Sequence, residues 1–428
     1  MPEHLSDLPT AAQSAPQTEM SQPNYPIPNG LYAIPPTELD LRTPSEIDEA
    51  LLHPPSISSE KNIFFFWATG LRTLYPYTKR NVHAYFRRLH PHNWSIYVLD
   101  LVDGSPLHVS NFLSLDDENV VPKAFRDGEL DGEYKMQHYS DLVRWPLLLK
   151  YGGCYIDVGM LGIGDLNRLW EETIGNAGSP YEAVSYSDAG SQSPNLANYF
   201  LASGKGNPLF ERCHRLLLEL WKGKTNTEGM HRSALLKGTP LMQSTIAMED
   251  GETEEENQKR ARELSESLTD YIIQGQVMTM VMGLVDEEDG WDGPRYVAEH
   301  VYGIDFMVGS QLVNEYTSWD GQKAWDLLSL EIPKEGEVES DVQKQAREIV
   351  EGCLQRSFGF KLAHGLILKV TKVTLGSLWR KHEGSDDVPG TYAHWLRYAM
   401  ASWNQEQLPP PGKLNWPPIK KGSLLKES

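Results

Sequence analysis

The chain has 428 residues, enough for one large enzyme domain with insertions and a sizeable core. Its 39 Lys and Arg stand against 59 Asp and Glu, and this formal charge of −20 argues against nucleic acid or an anionic membrane surface as a partner. Three widely spaced cysteines with no CxxC pair, a polar start over Met1 to Gln22, and no run of the roughly 18 apolar residues that a membrane span needs point to a cytoplasmic protein in a reducing compartment.

Prolines at 2, 9, 16, 23, 26, 28, 35 and 36, with few apolar neighbours, predict a disordered N-terminal arm over 1–40. The unbroken apolar run Asn62 to Trp67, ended by Gly70, predicts a strand buried on both faces, as in a parallel sheet. Val82, Tyr85, Phe86 and Leu89 repeat at helical spacing, and Trp94 to Asp100 returns to strand character. Leu142 to Leu149 reads as a helix with Ser140 as its N-cap, stopped by Gly152-Gly153, and Cys154 to Val158 as a third buried strand. A fourth strand over Asn198 to Ala202 and an amphipathic helix over Leu209 to Trp221 follow. The acidic stretches near 248–268 and 331–346 read as solvated helical insertions in one domain spanning 41–405, and 406–428 as a C-terminal tail. Alternating strands and helices imply an α/β fold of Rossmann type, a mostly parallel sheet flanked by helices, with its ligand groups at the strand carboxyl ends.

The chemistry concentrates between Gln137 and Gly159. On a helix Asp141 and Arg144 share one face, and their spacing alone fits either an exposed ion pair or a grip on a ribose hydroxyl or a phosphate. The double glycine then allows a sharp turn, and the apolar strand after it delivers Asp157 at its carboxyl end. Burying an acid there is unfavourable unless its charge is used.

Ser140-Asp141-Leu142-Val143-Arg144, Leu148-Leu149-Lys150-Tyr151-Gly152-Gly153 and Tyr155-Ile156-Asp157-Val158-Gly159 together resemble the signature of DxD-type glycosyltransferases related to the yeast α-mannosyltransferases. More closely, the chain is similar to the capsular polysaccharide synthesis protein family in its fungal form, over roughly Lys61 to Trp221 and again from Phe358 to Tyr398. The resemblance implies a GT-A-like fold and transfer of a sugar from a nucleotide-sugar donor to a small-molecule or glycan acceptor, with retention of configuration. It maps donor contacts onto Ser140, Asp141, Arg144, Gly153, Tyr155 and Asp157, with Asp157 and Arg144 as the catalytic pair. It also implies a divalent cation, Mn²⁺ or Mg²⁺, bridging Asp157 and the donor's diphosphate.

The chain departs from that pattern at Gly159, which stands where DxD has its second acid. Phosphates and waters can complete an oxygen shell around one carboxylate. Asp165 is a substitute acid by position, and His364, in a Lys361-Leu362-Ala363-His364-Gly365 stretch like that of similar fungal members, is the expected second protein ligand. His394 matches a late histidine of the mannosyltransferases, and the Lys237-Gly238-Thr239-Pro240 turn resembles one that shapes the acceptor side, placing Thr239 and Pro240 there. Two other readings stay open: a degenerate sugar-nucleotide-binding protein without catalysis, suggested by Gly159, and a transferase using a non-sugar diphosphate donor.

Overall fold

The computed structural model describes residues 25–188, 195–242 and 253–427. In chain order its strands are β1 (Leu31–Ala33), β2 (Asn62–Phe66), β3 (Ser95–Leu99), β4 (Gly153–Ile156), β5 (Met160–Gly162), β6 (Ala183–Ser187), β7 (Leu196–Ser203), β8 (Leu284–Asp286), β9 (Trp291–Asp292), β10 (Val301–Asp305), β11 (Gly359–Lys361), β12 (Trp403–Gln405) and β13 (Lys420–Lys421). Six of them form the central sheet in the order β10-β6-β7-β4-β2-β3. β2 pairs in parallel with both β3 and β4, and β10 with β6. β7 runs antiparallel to both its neighbours, β4 and β6. Only the short stretch 188–195 separates β6 from β7, too little chain for a parallel crossover, so the strand must return antiparallel.

The apolar runs work because helices cover both faces of the sheet. Phe64, Phe66, Tyr97, Leu99 and Tyr155 pack with Leu142, Trp145 and Leu148 of the helix Lys135–Tyr151. Their alternates Ile63, Phe65, Ile96, Val98, Cys154 and Ile156 pack with Val82, Phe86 and Leu89 of the helix Pro76–Leu89 on the other face. Full burial of each such side chain stabilises by about 1.5–3 kcal/mol, so these shared rows anchor the strand ends. A third cluster joins β5 and β11, paired antiparallel, to the helices Asp341–Arg356 and Tyr392–Ser402.

Four expectations change in the structure. Residues 1–24 of the expected arm lie outside the described residues, but 25–40 is docked: β1 pairs antiparallel with β12, and Leu31 and Ile34 are buried. Prolines there do not prevent docking, because a three-residue edge strand needs few ladder donors. Ser140 is not an N-cap. The helix begins at Lys135, before Ser140, and the serine faces inward from its interior. Residues 248–252 lie outside the described residues, but the acidic helix Glu254–Tyr271 is more than edge decoration, since its last residue reaches the cavity described below. The expected tail is packed as well, with Leu414, Trp416 and Leu424 buried and β13 paired to β8. Among the described residues no helix is long and apolar enough to cross a membrane.

Candidate active site

A cavity of about 690 Å³ opens at the carboxyl ends of β2 and β4 and the amino end of β7. This lies well up the usual range for small-molecule sites, roughly 300–1,000 Å³, and leaves room for more than one ligand. Its floor is built from the residue run singled out in sequence. Gly153 adopts φ +106°, and a Cβ there would lie 2.3 Å from the Asn62 carbonyl oxygen, so only glycine lets β4 lie against β2. At the far end of β4 the Asp157 N–H donates to the Tyr199 carbonyl at 2.9 Å, and the Asp157 carbonyl accepts from the Met160 N–H at 2.9 Å, closing a tight turn. Buried Asn81 donates to the Val158 carbonyl at 2.8 Å and accepts from Arg397, which pairs with fully buried Asp386 at 2.8 Å. The Asp157 turn is therefore braced from below by the helix Tyr392–Ser402.

Arg144 and Asp141 are buried, 2 % and 8 % exposed, which removes the surface ion-pair reading. The guanidinium stacks 4.6 Å above the Tyr155 ring, meets Asp141 Oδ1 at 2.7 Å and Ser140 Oγ at 3.0 Å, and donates to the Asn198 carbonyl. Tyr155 Oη and Ser140 Oγ lie 2.6 Å apart beneath it. Asn198 Nδ2 lies 3.4 Å from Asp141 Oδ1, and buried Gln274 donates to the Asp141 carbonyl at 2.7 Å. Burial pushes the Asp141 carboxyl up to about 6, with Asp157 adding to the rise and Arg144 opposing it. Most of the guanidinium's donors are engaged by protein, so Arg144 orients the acids around it more than it reaches into the cavity.

Asp157, in contrast, faces the cavity. Its Oδ2 lies 3.0 Å from Lys361 Nζ, and its Oδ1 3.7 Å from Arg144 Nη2. Lys361 comes from the end of β11, whose antiparallel pairing sets Lys361 opposite Met160 and lets the Leu362 N–H donate to the Gly159 carbonyl at 3.0 Å. A Cβ on Gly159 would stand 3.3 Å from the His364 ring and 3.4 Å from Lys361 Nζ. The place of the missing second acid is thus flanked by an ammonium and an imidazole. His364 is wedged between Gly159 and Gly376; burial, reinforced by Lys361 and opposed by Asp157, drives its ring down to about 3 and keeps it neutral. Asp157 and His364 therefore both reach the cavity, but Lys361 sits against the carboxylate oxygen that would have met an ion. Among the described residues no three His, Cys, Asp or Glu side chains gather as a metal set. This donor set suits an octahedral oxygen-loving ion poorly.

Of the residues expected at the donor site, Ser140, Asp141, Arg144 and Asp157 line the cavity, while Gly153 and Tyr155 support it from beneath. Thr239 and Pro240 do not line it: Thr239 Oγ1 closes a turn onto the Leu236 carbonyl at 2.7 Å, and the Pro240 carbonyl accepts from Gln276 at 2.9 Å. Asp165 caps the helix Leu166–Glu172 and accepts from Asn404, and His394 bonds the Tyr25 hydroxyl at 2.6 Å; both lie away from the cavity. Gly365 packs closely on the cavity's Tyr271, since a Cβ there would stand 2.1 Å from the Tyr271 hydroxyl. Sequence reasoning missed Asn198, Gln274, Tyr271 and Asp188, the last at the end of β6 and also on the cavity wall. The run Ala183 to Ser187 was the available signal for Asp188, an acid closing a short strand. Above the charged floor most of the wall formed by the described residues is apolar, with Trp67, Tyr75, Met136, Phe306, Trp319 and Leu368, and Asp188 and Arg380 add single charges to it.

Residues 45–229 match the family described as capsular polysaccharide synthesis protein. The chain is similar to O-glycosyltransferase braB of Annulohypoxylon truncatum, 31% identical over 96% of each chain. It is 33% identical to Glycosyltransferase afumC of Aspergillus fumigatus, over 88% of this chain and 93% of that one. With O-glycosyltransferase PaGT of Phomopsis amygdali it shares 29% identity over 91% of this chain and 94% of that one.

Proposed function

The chain belongs to the capsular polysaccharide synthesis protein family and is a glycosyltransferase of the fungal kind; on that premise we propose that it moves a sugar from a nucleoside diphosphate donor onto a hydroxyl of an apolar small molecule. The observation that carries this reading is the junction of two ion pairs, Asp141 with Arg144 and Asp157 with Lys361, on the floor of a cavity whose walls are largely apolar. The donor's sugar and diphosphate lie along the floor, where Asp157 faces the sugar and Lys361 the departing phosphate. The apolar walls favour an acceptor with little polar surface over a glycan, which would leave its many hydroxyls unpaired there. Two of the similar proteins are named as O-glycosyltransferases, in keeping with a hydroxyl acceptor.

In the transfer the bond from the anomeric carbon to the phosphate oxygen breaks, and its electron pair leaves with the nucleoside diphosphate. The acceptor oxygen bonds to the anomeric carbon, and its proton passes to the departing diphosphate. Asp141 and Asp157 each face a cation, so neither is a ready nucleophile on the opposite side, and the phosphate is the nearer base. This arrangement favours same-face transfer with retention. Positive charge fixed beside the leaving oxygens before the reaction lowers the barrier without reorganisation.

The test is product formation from a panel of sugar nucleotides offered with a series of apolar alcohols and phenols, with hydrolysis of each donor followed in parallel. Transfer to at least one alcohol, with the sugar's configuration kept, is the expected result. No cleavage of any donor in the panel would contradict a catalytic role for this floor.

A further inference from the structure

We propose that Lys361, and not a divalent cation, supplies the charge that neutralises the donor's diphosphate in this chain. The inference rests on the donor site proposed above and names the group that holds its phosphates. Three observations converge on it. Lys361 Nζ stands 3.0 Å from Asp157 Oδ2, while the other oxygen of that carboxylate turns toward Arg144 at 3.7 Å, so both faces of the acid are already opposite cations. An ion bound by Asp157 would have to displace one of them or sit against a like charge. Gly159 has no side chain to add to a metal shell, and a Cβ there would come within 3.4 Å of Lys361 Nζ and 3.3 Å of the His364 ring. The position without a second acid therefore lies directly beside the ammonium, and Lys361 stands where a carboxylate at 159 would have met it.

Position on the backbone makes the lysine a fixed group rather than a wandering surface charge. The pairing of β11 with β5 sets Lys361 opposite Met160, three residues past Asp157, and the side chain is 16 % exposed. One donor of the ammonium meets Asp157, leaving its other N–H groups for acceptors in the cavity. A compact ammonium suits a point contact with phosphate oxygens. Charge pairing on the floor agrees: Asp141 faces Arg144 and Asp157 faces Lys361, while Asp188 and Arg380 stand as one acid and one base elsewhere on the lining, so a diphosphate on the floor meets the ammonium beside a carboxylate that is already paired.

Calorimetric titration of the full chain with UDP, GDP and ADP decides it, first in EDTA and then with Mn²⁺ or Mg²⁺ added, for wild type and for Lys361→Met. At least one nucleoside diphosphate should bind wild type in EDTA, with added metal shifting the Kd by less than about threefold. Lys361→Met should weaken that binding by about tenfold or more, the effect of losing a hydrogen bond to a charged group. Binding that appears only with metal would overturn the proposal while leaving the donor site standing. So would binding in EDTA that Lys361→Met leaves unchanged. Silence in every arm, metal included, would remove the donor site and the proposal together. The wild-type comparison with and without chelator stands even if the variant misfolds, which a thermal melt would reveal.

Discussion

The cavity's floor and its walls are made in different ways. The floor takes Ser140, Asp141, Arg144 and Asp157 from one 18-residue stretch, fixed by a helix, a double-glycine turn and a strand, and adds Lys361 from a short paired strand. The walls draw Trp67, Met136, Tyr271, Phe306, Trp319 and Leu368 from segments scattered along the chain. Floor residues are locked by buried bonds and have little freedom to vary, whereas wall residues contribute mainly apolar area. The contrast teaches that most of the charged floor is set by local sequence, with Lys361 as its one distant member, and the apolar wall by how distant segments fold over it.

The sharpest way to break the contrast is Asp157→Ala. The carboxylate faces the cavity, its backbone is held by Tyr199 and Met160 and the next residue's carbonyl by Asn81, so turnover should fall by about a thousandfold or more, some 4 kcal/mol of barrier, with the melting temperature little changed. Near wild-type turnover would show that the floor is not where the sugar reacts. Arg144→Lys should lose about a hundredfold in kcat/KM and also melt earlier, by about 2–4 kcal/mol, because an ammonium cannot serve Asp141, Ser140 and the Asn198 carbonyl at once. A variant as stable as wild type would mean that the buried pair is replaceable.

Acidity separates the regions in another way. Burial lifts Asp141 in the folded state, to about 6, above its unfolded value near 4, so its contribution to stability is fully present below about pH 4 and is lost as pH rises through 6, on the order of 3 kcal/mol at most. His364 works in the opposite sense, its folded value of about 3 adding stability that is lost as pH falls from about 6.5. Comparing melts of wild type and Asp141→Asn between pH 4 and 7 isolates the first effect: the difference between the two proteins should change across that window, and parallel curves would refute it. The smallest effect belongs to the walls. Met136→Ala should raise the KM for an apolar acceptor by about threefold to tenfold, the value of one shortened side chain, and leave the donor KM alone; a change in donor KM instead would place the acceptor elsewhere.

The same contrast explains what was legible in the sequence. Asn62 to Phe66, Ser95 to Leu99 and Gly153 to Ile156 read as buried strands because helices on both sides leave no polar face to interrupt them. Asp141, Arg144 and Asp157 read as a cluster because a helix face and a strand end place them together by local geometry alone. The reversal of β7 was not legible because Ala183 to Ser187 was not read as a strand, and without β6 the short connection that forces the reversal had no starting point. Nor was the helix Ile273–Met282, buried at all ten positions, because its buried Gln274, Gln276 and Thr279 sit among apolar residues on every side and leave no amphipathic period to read. Lys361 was visible as a residue near a motif, but its meeting with Asp157 depends on a three-residue pairing between β5 and β11, far apart in sequence. Thr239 and Pro240 show the converse: a turn can look like a site element and only close a loop.

The most direct measurement of the account is a crystal structure of the full chain grown with the nucleoside diphosphate that binds it best. The account predicts a diphosphate on the floor within hydrogen-bond distance of Lys361 Nζ, the space beside Asp157 open for a sugar, and the apolar walls unfilled above it. A diphosphate bound elsewhere, or one that contacts the walls while the Asp157 and Lys361 pair stays untouched, would contradict it.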